Sequence, residues 1–176
     1  MKETIGVKNL GWFVLAMLGT LLSIVAAPAF AHAISDGDKA PNFELASLAG
    51  QNVSLSQFRG KIVYLDFWAS WCGPCRHTLP WMEELQRKFA GKGLVVVAVN
   101  LDKNKSDAQK AISGIHPSYQ VLLDPNGTVP AKYMPPKMPT SFLIGRDGTV
   151  VSVHAGFKDG EAEEIESEIA RMLSGK

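Results

Sequence analysis

Cysteine is scarce in this chain, since 176 residues contain only Cys72 and Cys75. Two thiols cannot build the several bridges that stabilise small secreted domains. A structural zinc site usually takes four ligands, but the sequence has no second cysteine pair, and its four histidines are scattered. The pair is therefore best interpreted as one redox couple, with a structural disulfide and a metal site as the alternatives.

An excess of charge is also missing, because the formal net charge is only +1. Residues 1–33 hold two lysines and one glutamate, which leaves 16 basic and 16 acidic residues in the remainder. This balance gives no indication of nucleic acid or an anionic surface as a partner. Repeats, low-complexity segments and a second-domain linker are absent as well, so the length predicts one domain plus an extension.

The first 33 residues have the pattern of an export signal. Lys2 and Lys8 form a positive start, Leu10 to Ala26 is uncharged and apolar, and Ala31-His32-Ala33 is a small-x-small cleavage pattern. The apolar stretch of about 17 residues is at the short limit for a membrane span. We therefore predict a cleaved signal peptide over residues 1–33, with an uncleaved anchor as the alternative. Both predict export to a compartment where disulfides persist.

Both cysteines follow a predicted strand and open a predicted helix. Lys61 to Ala69 is apolar almost throughout, which is typical of a strand covered on both faces. Pro74 suits the first turn of a helix. The unpaired N–H groups and the positive dipole end of a helix start favour a thiolate, and a Cys-x-x-Cys thiol in this setting can have its pKa lowered from about 8.5 to between roughly 3.5 and 7.5. We predict disulfide exchange, with Cys72 as an exposed nucleophile and Cys75 as a shielded resolving thiol.

Alternating and periodic apolar residues predict the other elements of an α/β domain. A helix over Pro74 to Ala90 and a strand over Leu94 to Asn100 complete a right-handed parallel crossover. The remaining predictions are strands at 43–45, 52–54 and 119–123, a hairpin of 140–144 with 149–154, and helices at 106–112 and 159–173.

The segment Trp71-Cys72-Gly73-Pro74-Cys75 matches the thioredoxin active-site motif, and Asp66, Trp68 and Pro80 match the thioredoxin residues around it. The chain resembles the exported TlpA/ResA-like branch of that superfamily over Ile34 to Gly175. Three further segments carry this resemblance: 37–43, 54–61 and 138–144. It implies that residues 34–176 form a thioredoxin-like fold, with a central mixed sheet flanked by helices, an N-terminal hairpin extension and a central helix–strand insertion.

The resemblance also implies roles for two residues outside the cysteine motif. Asp66, in an apolar strand, should be desolvated with a raised pKa, and should take the proton from Cys75. A carboxylate satisfied by backbone donors is the alternative, and Asp102 is the alternative proton acceptor. Pro139 is predicted to be cis, which would set the Met138 backbone beside the disulfide to pair with an extended substrate.

Substrate contacts are predicted for Trp71, Gly73, Pro74 and Met138. The Gly73-Pro74 dipeptide is that of thioredoxins, which are reducing at around −270 mV, whereas the oxidant DsbA is near −120 mV. We therefore predict a periplasmic reductant of client proteins that uses no cofactor or metal. In TlpA-like proteins the electrons come from a membrane thiol reductase of the DsbD or CcdA type. A role in cytochrome c maturation is not assigned, because residues 133–139 lack the Gly-x-x-Gly-x-Pro-Glu loop of those members.

Two other functions compete with a reductase. A peroxiredoxin-like peroxidase would carry a threonine shortly before its reactive cysteine, but Ala69, Ser70 and Trp71 precede Cys72 here. A copper-handling thioredoxin-like module would typically space its cysteines by three residues and add a histidine ligand. The two-residue spacing and Pro139 disfavour that module.

Overall fold

A computed structural model describes residues 32–158 and 160–175. The predicted signal segment, apart from its last two residues, and Asp159 lie outside the described residues. The strands are β1 (Glu44–Ser47), β2 (Asn52–Ser54), β3 (Ile62–Trp68), β4 (Leu94–Asn100), β5 (Gln120–Leu123), β6 (Thr140–Ile144) and β7 (Val150–Ala155). The helices are α1 (Gly73–Phe89), α2 (Lys105–Ile112), α3 (Pro130–Tyr133) and α4 (Glu161–Ser174). Within these ranges, every helix is too short or too polar to cross a bilayer.

The strands form one mixed sheet in the order β2-β1-β5-β4-β3-β6-β7. β3 pairs in parallel with β4 from Ile62↔Leu94 to Trp68↔Asn100, and β4 pairs in parallel with β5. The other pairs are antiparallel. Because β3 and β4 run in the same direction, their carboxyl ends meet at one edge of the sheet. The predicted thioredoxin-like architecture is confirmed.

The predicted hairpin extension and insertion both join this sheet. The β1–β2 hairpin pairs with β5 through Ala46↔Leu123 and Ser47↔Leu122. The insertion, α2 with β5, adds a strand between the hairpin and β4. The helix predicted at 106–112 begins one residue earlier, at Lys105, with Asn104 at the N-cap.

Two apolar cores lie on opposite faces of the sheet, because successive side chains of a strand point to opposite faces. Ile62, Tyr64 and Trp68 of β3 join the core that also contains both cysteines and residues of α1 and α4. Val63 and Leu65 join the second core, which contains residues of the N-terminal extension and β6. Asp66 has the parity of Tyr64 and Trp68, so it lies on the cysteine-bearing face.

Candidate active site

The cysteine pair lies at the connection between β3 and α1. Cys72 is the N-cap of α1, and Pro74 occupies the first turn. The Cys72 N–H donates to the Ala69 carbonyl at 3.1 Å, which closes the turn between strand and helix. Cys72 and Cys75 are joined by a disulfide with a Cα–Cα distance of 5.3 Å. The Cys75 N–H donates to Cys72 Sγ at 3.3 Å, so a helix N–H group is directed at the sulfur that would carry a thiolate.

Exposure distinguishes the two sulfur-bearing residues: Cys75 is shielded as predicted, but Cys72 is more buried than the sequence predicted. Cys72 is 7% exposed and Cys75 is fully buried. The prediction of an exposed Cys72 was therefore wrong in degree, because its side chain is bonded to a buried partner and belongs to the apolar core under α1. The order of accessibility is as predicted, and a client would reach Cys72 rather than Cys75.

The surface around Cys72 combines an exposed aromatic residue with a groove. Trp71 is 69% exposed, the largest exposure among the large apolar side chains described. A cavity of about 710 Å³ lies beside the first turn of α1. Its lining includes Gly73, Pro74 and His77 of α1, and Phe157 and Lys158 from the loop before α4. Of the predicted substrate contacts, Trp71 and Pro74 are thus exposed and Gly73 is half-buried.

The Met138–Pro139 peptide bond is cis, as predicted. Pro139 is buried and its carbonyl accepts from the Gly156 N–H at 2.8 Å, which ties the loop to the end of β7. Met138 is half-buried and packs against the core that contains both cysteines. The fold therefore brings the predicted loop to the disulfide side of the sheet.

Asp66 is a buried acid with an unpaired oxygen. It is 1% exposed, and its register neighbours across the sheet are Ala98 and Ser141. Burial raises the pKa of the Asp66 carboxyl well above its ordinary value. Within the described residues, Asp66 Oδ2 and Trp68 Nε1 are buried without a hydrogen-bond partner. This argues against a carboxylate fully satisfied by backbone donors, and it suits a group that takes up a proton more readily than an ordinary carboxyl.

Asp102, the alternative proton acceptor, is engaged elsewhere. Its Oδ1 accepts from the Ser70 hydroxyl at 2.8 Å, and its Oδ2 accepts from the Ser70 N–H at 3.0 Å and from Asn100 Nδ2 at 2.7 Å. Both oxygens are thus occupied by donors, in contrast with Asp66 Oδ2. Ser70 and Asn100 were not predicted as partners of Asp102. The polar Asn100 at the end of the apolar β4 was the one signal in the sequence of a hydrogen-bonding role.

Comparison with known proteins identifies the family. The model of the Redoxin family matches residues 35–172. The thiol-disulfide oxidoreductases ResA of Bacillus thuringiensis and Bacillus subtilis are each 36% identical to this chain. The alignments cover 65% and 71% of this chain, and 66% and 70% of those proteins, respectively.

Two solved structures extend the comparison. A candidate thiol:disulfide interchange protein DsbE of Chlorobium tepidum is 47% identical, with a TM-score of 0.77 over 80% of this chain and 99% of that one. The exposed lipoprotein thioredoxin Etrx1 of Streptococcus pneumoniae is 33% identical, with a TM-score of 0.62 over 73% of this chain and 99% of that one. The chain therefore belongs to the Redoxin family, as a TlpA/ResA-like member of the thioredoxin superfamily.

Proposed function

We propose that this protein is a thiol-disulfide oxidoreductase that reduces the disulfides of client proteins outside the cytoplasm. The observation that carries the proposal is the cysteine pair at the start of α1, where only Cys72 reaches the surface. The proposal is also supported by Asp66, a buried acid on the same face of the sheet that could accept the proton of Cys75. The names of the ResA and DsbE relatives support exchange chemistry.

The reaction starts from the dithiol form. The Cys72 thiolate attacks one sulfur of the client disulfide, and the other client sulfur leaves as a thiolate that takes up a proton. Cys75 then loses its proton to the Asp66 carboxylate and attacks Cys72 Sγ, which breaks the mixed disulfide. The client gains two electrons as a dithiol, and the Cys72–Cys75 disulfide forms. Trp71, Gly73, Pro74 and the Met138 backbone would hold the client segment beside Cys72.

Electrons must return to the pair after each cycle. We propose a membrane thiol reductase of the DsbD or CcdA type as the donor, in keeping with the TlpA-like resemblance. The pattern of residues 1–33 supports a periplasmic location, with that segment either cleaved or kept as an anchor. The description of Etrx1 as an exposed lipoprotein points to the same side of the membrane.

The test is reduction of a model client, the insulin disulfides, by the dithiol form of the protein. Cys72→Ser should abolish the reaction, whereas Cys75→Ser should accumulate a mixed disulfide through Cys72. Equilibration with glutathione gives the midpoint potential of the pair, which we expect to lie nearer to the −270 mV of thioredoxin than to the −120 mV of DsbA. A midpoint potential close to that of DsbA would overturn the assignment as a reductant. Full activity of Cys72→Ser would overturn disulfide exchange through Cys72.

A further inference from the structure

The turn between β3 and α1 is hydrogen-bonded to a residue that follows the neighbouring strand β4. Asp102 lies two residues beyond β4 and is only 5% exposed. Ser70, in the turn, makes bonds to this carboxylate through both its N–H and its hydroxyl. Ser70 is two residues before Cys72, so the attachment lies directly behind the segment that presents the nucleophile.

Asp102 is itself fixed by Asn100, the fully buried last residue of β4. The Asn100 amide donates to Asp102 Oδ2 at 2.7 Å, and the Asp102 N–H donates to Asn100 Oδ1 at 3.1 Å. The Leu101 N–H also donates to the Trp68 carbonyl at 2.9 Å. The carboxylate therefore belongs to a rigid strand end, which the parallel pairing of β3 and β4 places beside the turn.

We infer that Asp102 is a positioning residue that holds Ser70, and through it Trp71 and Cys72, in the geometry that stabilises the Cys72 thiolate. The inference rests on the proposed function, whose nucleophile is this thiolate. The helix-start donors work only while Cys72 keeps its place at the N-cap, where the Cys75 N–H lies 3.3 Å from its sulfur. By fixing Ser70, Asp102 keeps Cys72 at the N-cap of α1.

Two substitutions separate positioning from a simple effect of charge. Ser70→Ala keeps the Asp102 charge but removes the hydroxyl bond. Asp102→Asn removes the charge and replaces one acceptor oxygen by a donor; because both oxygens accept bonds, at least one of Ser70 and Asn100 loses its partner. Positioning predicts a smaller thiolate fraction in both variants. Charge alone predicts a larger fraction in Asp102→Asn, since a nearby negative charge disfavours the thiolate, and no change in Ser70→Ala.

The measurement is the pH dependence of Cys72 alkylation by iodoacetamide in the reduced protein. We expect the thiolate fraction at neutral pH to fall about threefold in each variant, the size of a net hydrogen bond. The double variant should fall no further than Asp102→Asn alone, because the two groups act as one unit. Ser70→Thr keeps the hydroxyl and should retain the parental profile, as should Asp36→Asn, which removes an exposed carboxylate.

An unchanged fraction in Ser70→Ala, or a rise in Asp102→Asn, would overturn the inference. Thermal unfolding of the oxidised proteins checks that each variant folds, and Ser70→Ala keeps the test valid if Asp102→Asn does not. Alkylation needs no client, so its outcome is separate from the proposed function. If the parent protein fails to reduce insulin but the variants show the predicted alkylation profiles, only the proposed reductase function is overturned, and the positioning role of Asp102 stands.

Discussion

At the scale of single residues, the unpaired Asp66 oxygen carries the sharpest kinetic expectation. If Asp66 takes the proton of Cys75, Asp66→Asn should slow release of the reduced client by about a hundredfold, the lower end of what a positioned base contributes. The first attack by Cys72 should be nearly unchanged, so the mixed disulfide should accumulate. Single-turnover quenching with acid measures both steps. Unchanged release at neutral pH would remove Asp66 from the mechanism.

The raised pKa of Asp66 also predicts how stability depends on pH. A carboxyl whose pKa is higher in the folded state stabilises the fold fully only below its unfolded pKa, and the contribution is lost as pH rises toward the folded value. Asp66→Asn should therefore gain stability over the parent as pH rises from about 4, by at most about 1.4 kcal/mol per pH unit. Urea unfolding of the oxidised proteins at several pH values checks this. A difference that does not change with pH would contradict it.

The exposure of Trp71 separates client binding from chemistry. Trp71→Ala should raise the KM for a protein client severalfold, because a large apolar contact is lost at the rim of the site. The stability should change by less than about 0.5 kcal/mol, as for other surface positions. Steady-state kinetics with insulin gives the KM, and Val151→Ala, on the exposed part of β7, is the matched control. Equal KM values for Trp71→Ala and the parent would exclude Trp71 from docking.

At the scale of elements, a buried glutamate connects α1 to the insertion. Glu83 accepts from the Ser118 N–H at 2.6 Å and its hydroxyl at 3.0 Å, and from Arg87 Nε at 2.6 Å. Burial acts to raise the pKa of Glu83, but these bonds outweigh it and hold the pKa below its ordinary value. Because Ser118 lies between α2 and β5, the contact anchors the active-site helix to the inserted segment.

Glu83→Gln should therefore destabilise the oxidised protein by about 1–3 kcal/mol near neutral pH, since buried donors lose a charged acceptor. The contribution of a carboxyl with a lowered pKa is present above its unfolded pKa and is lost as pH falls through the folded value. The difference from the parent should thus shrink below about pH 4. Urea unfolding measures it, with the exposed neighbour Glu84→Gln as the control. Equal losses in both variants would contradict the anchoring role.

These contacts also mark the limit of prediction from the sequence. Local patterns predicted β3, α1 and the cysteine pair, because periodicity and a short motif determine them, whereas the cis Pro139 was predicted from the resemblance to TlpA/ResA-like proteins. The Asp102–Ser70 and Glu83–Ser118 contacts join residues 32 and 35 positions apart. These residues meet only in the folded protein, so no local sequence pattern predicts the contacts between them. The burial of Cys72 was missed for the same reason, since it depends on the packing of a whole core.

At the scale of the molecule, the two cores should respond differently to the redox state. Leu79→Ala, in the core with the cysteines, and Leu122→Ala, in the opposite core, each remove a fully buried side chain. Both should lose about 2–5 kcal/mol of unfolding free energy. Only Leu79→Ala should shift the midpoint potential, because the cost of Leu122→Ala is the same in the dithiol and disulfide forms and cancels. Urea unfolding and glutathione equilibration test the pair, and a shift in Leu122→Ala as large as that in Leu79→Ala would contradict this separation.

The β1–β2 hairpin has a consequence for the behaviour of the molecule in concentrated solution. The hairpin pairs with β5 and so satisfies backbone groups that would otherwise make β5 an exposed edge strand. A chain deprived of residues 43–54 would offer that edge to its neighbours, and it should form oligomers through intermolecular strand pairing. We therefore expect the short extension to limit self-association of the protein through β5.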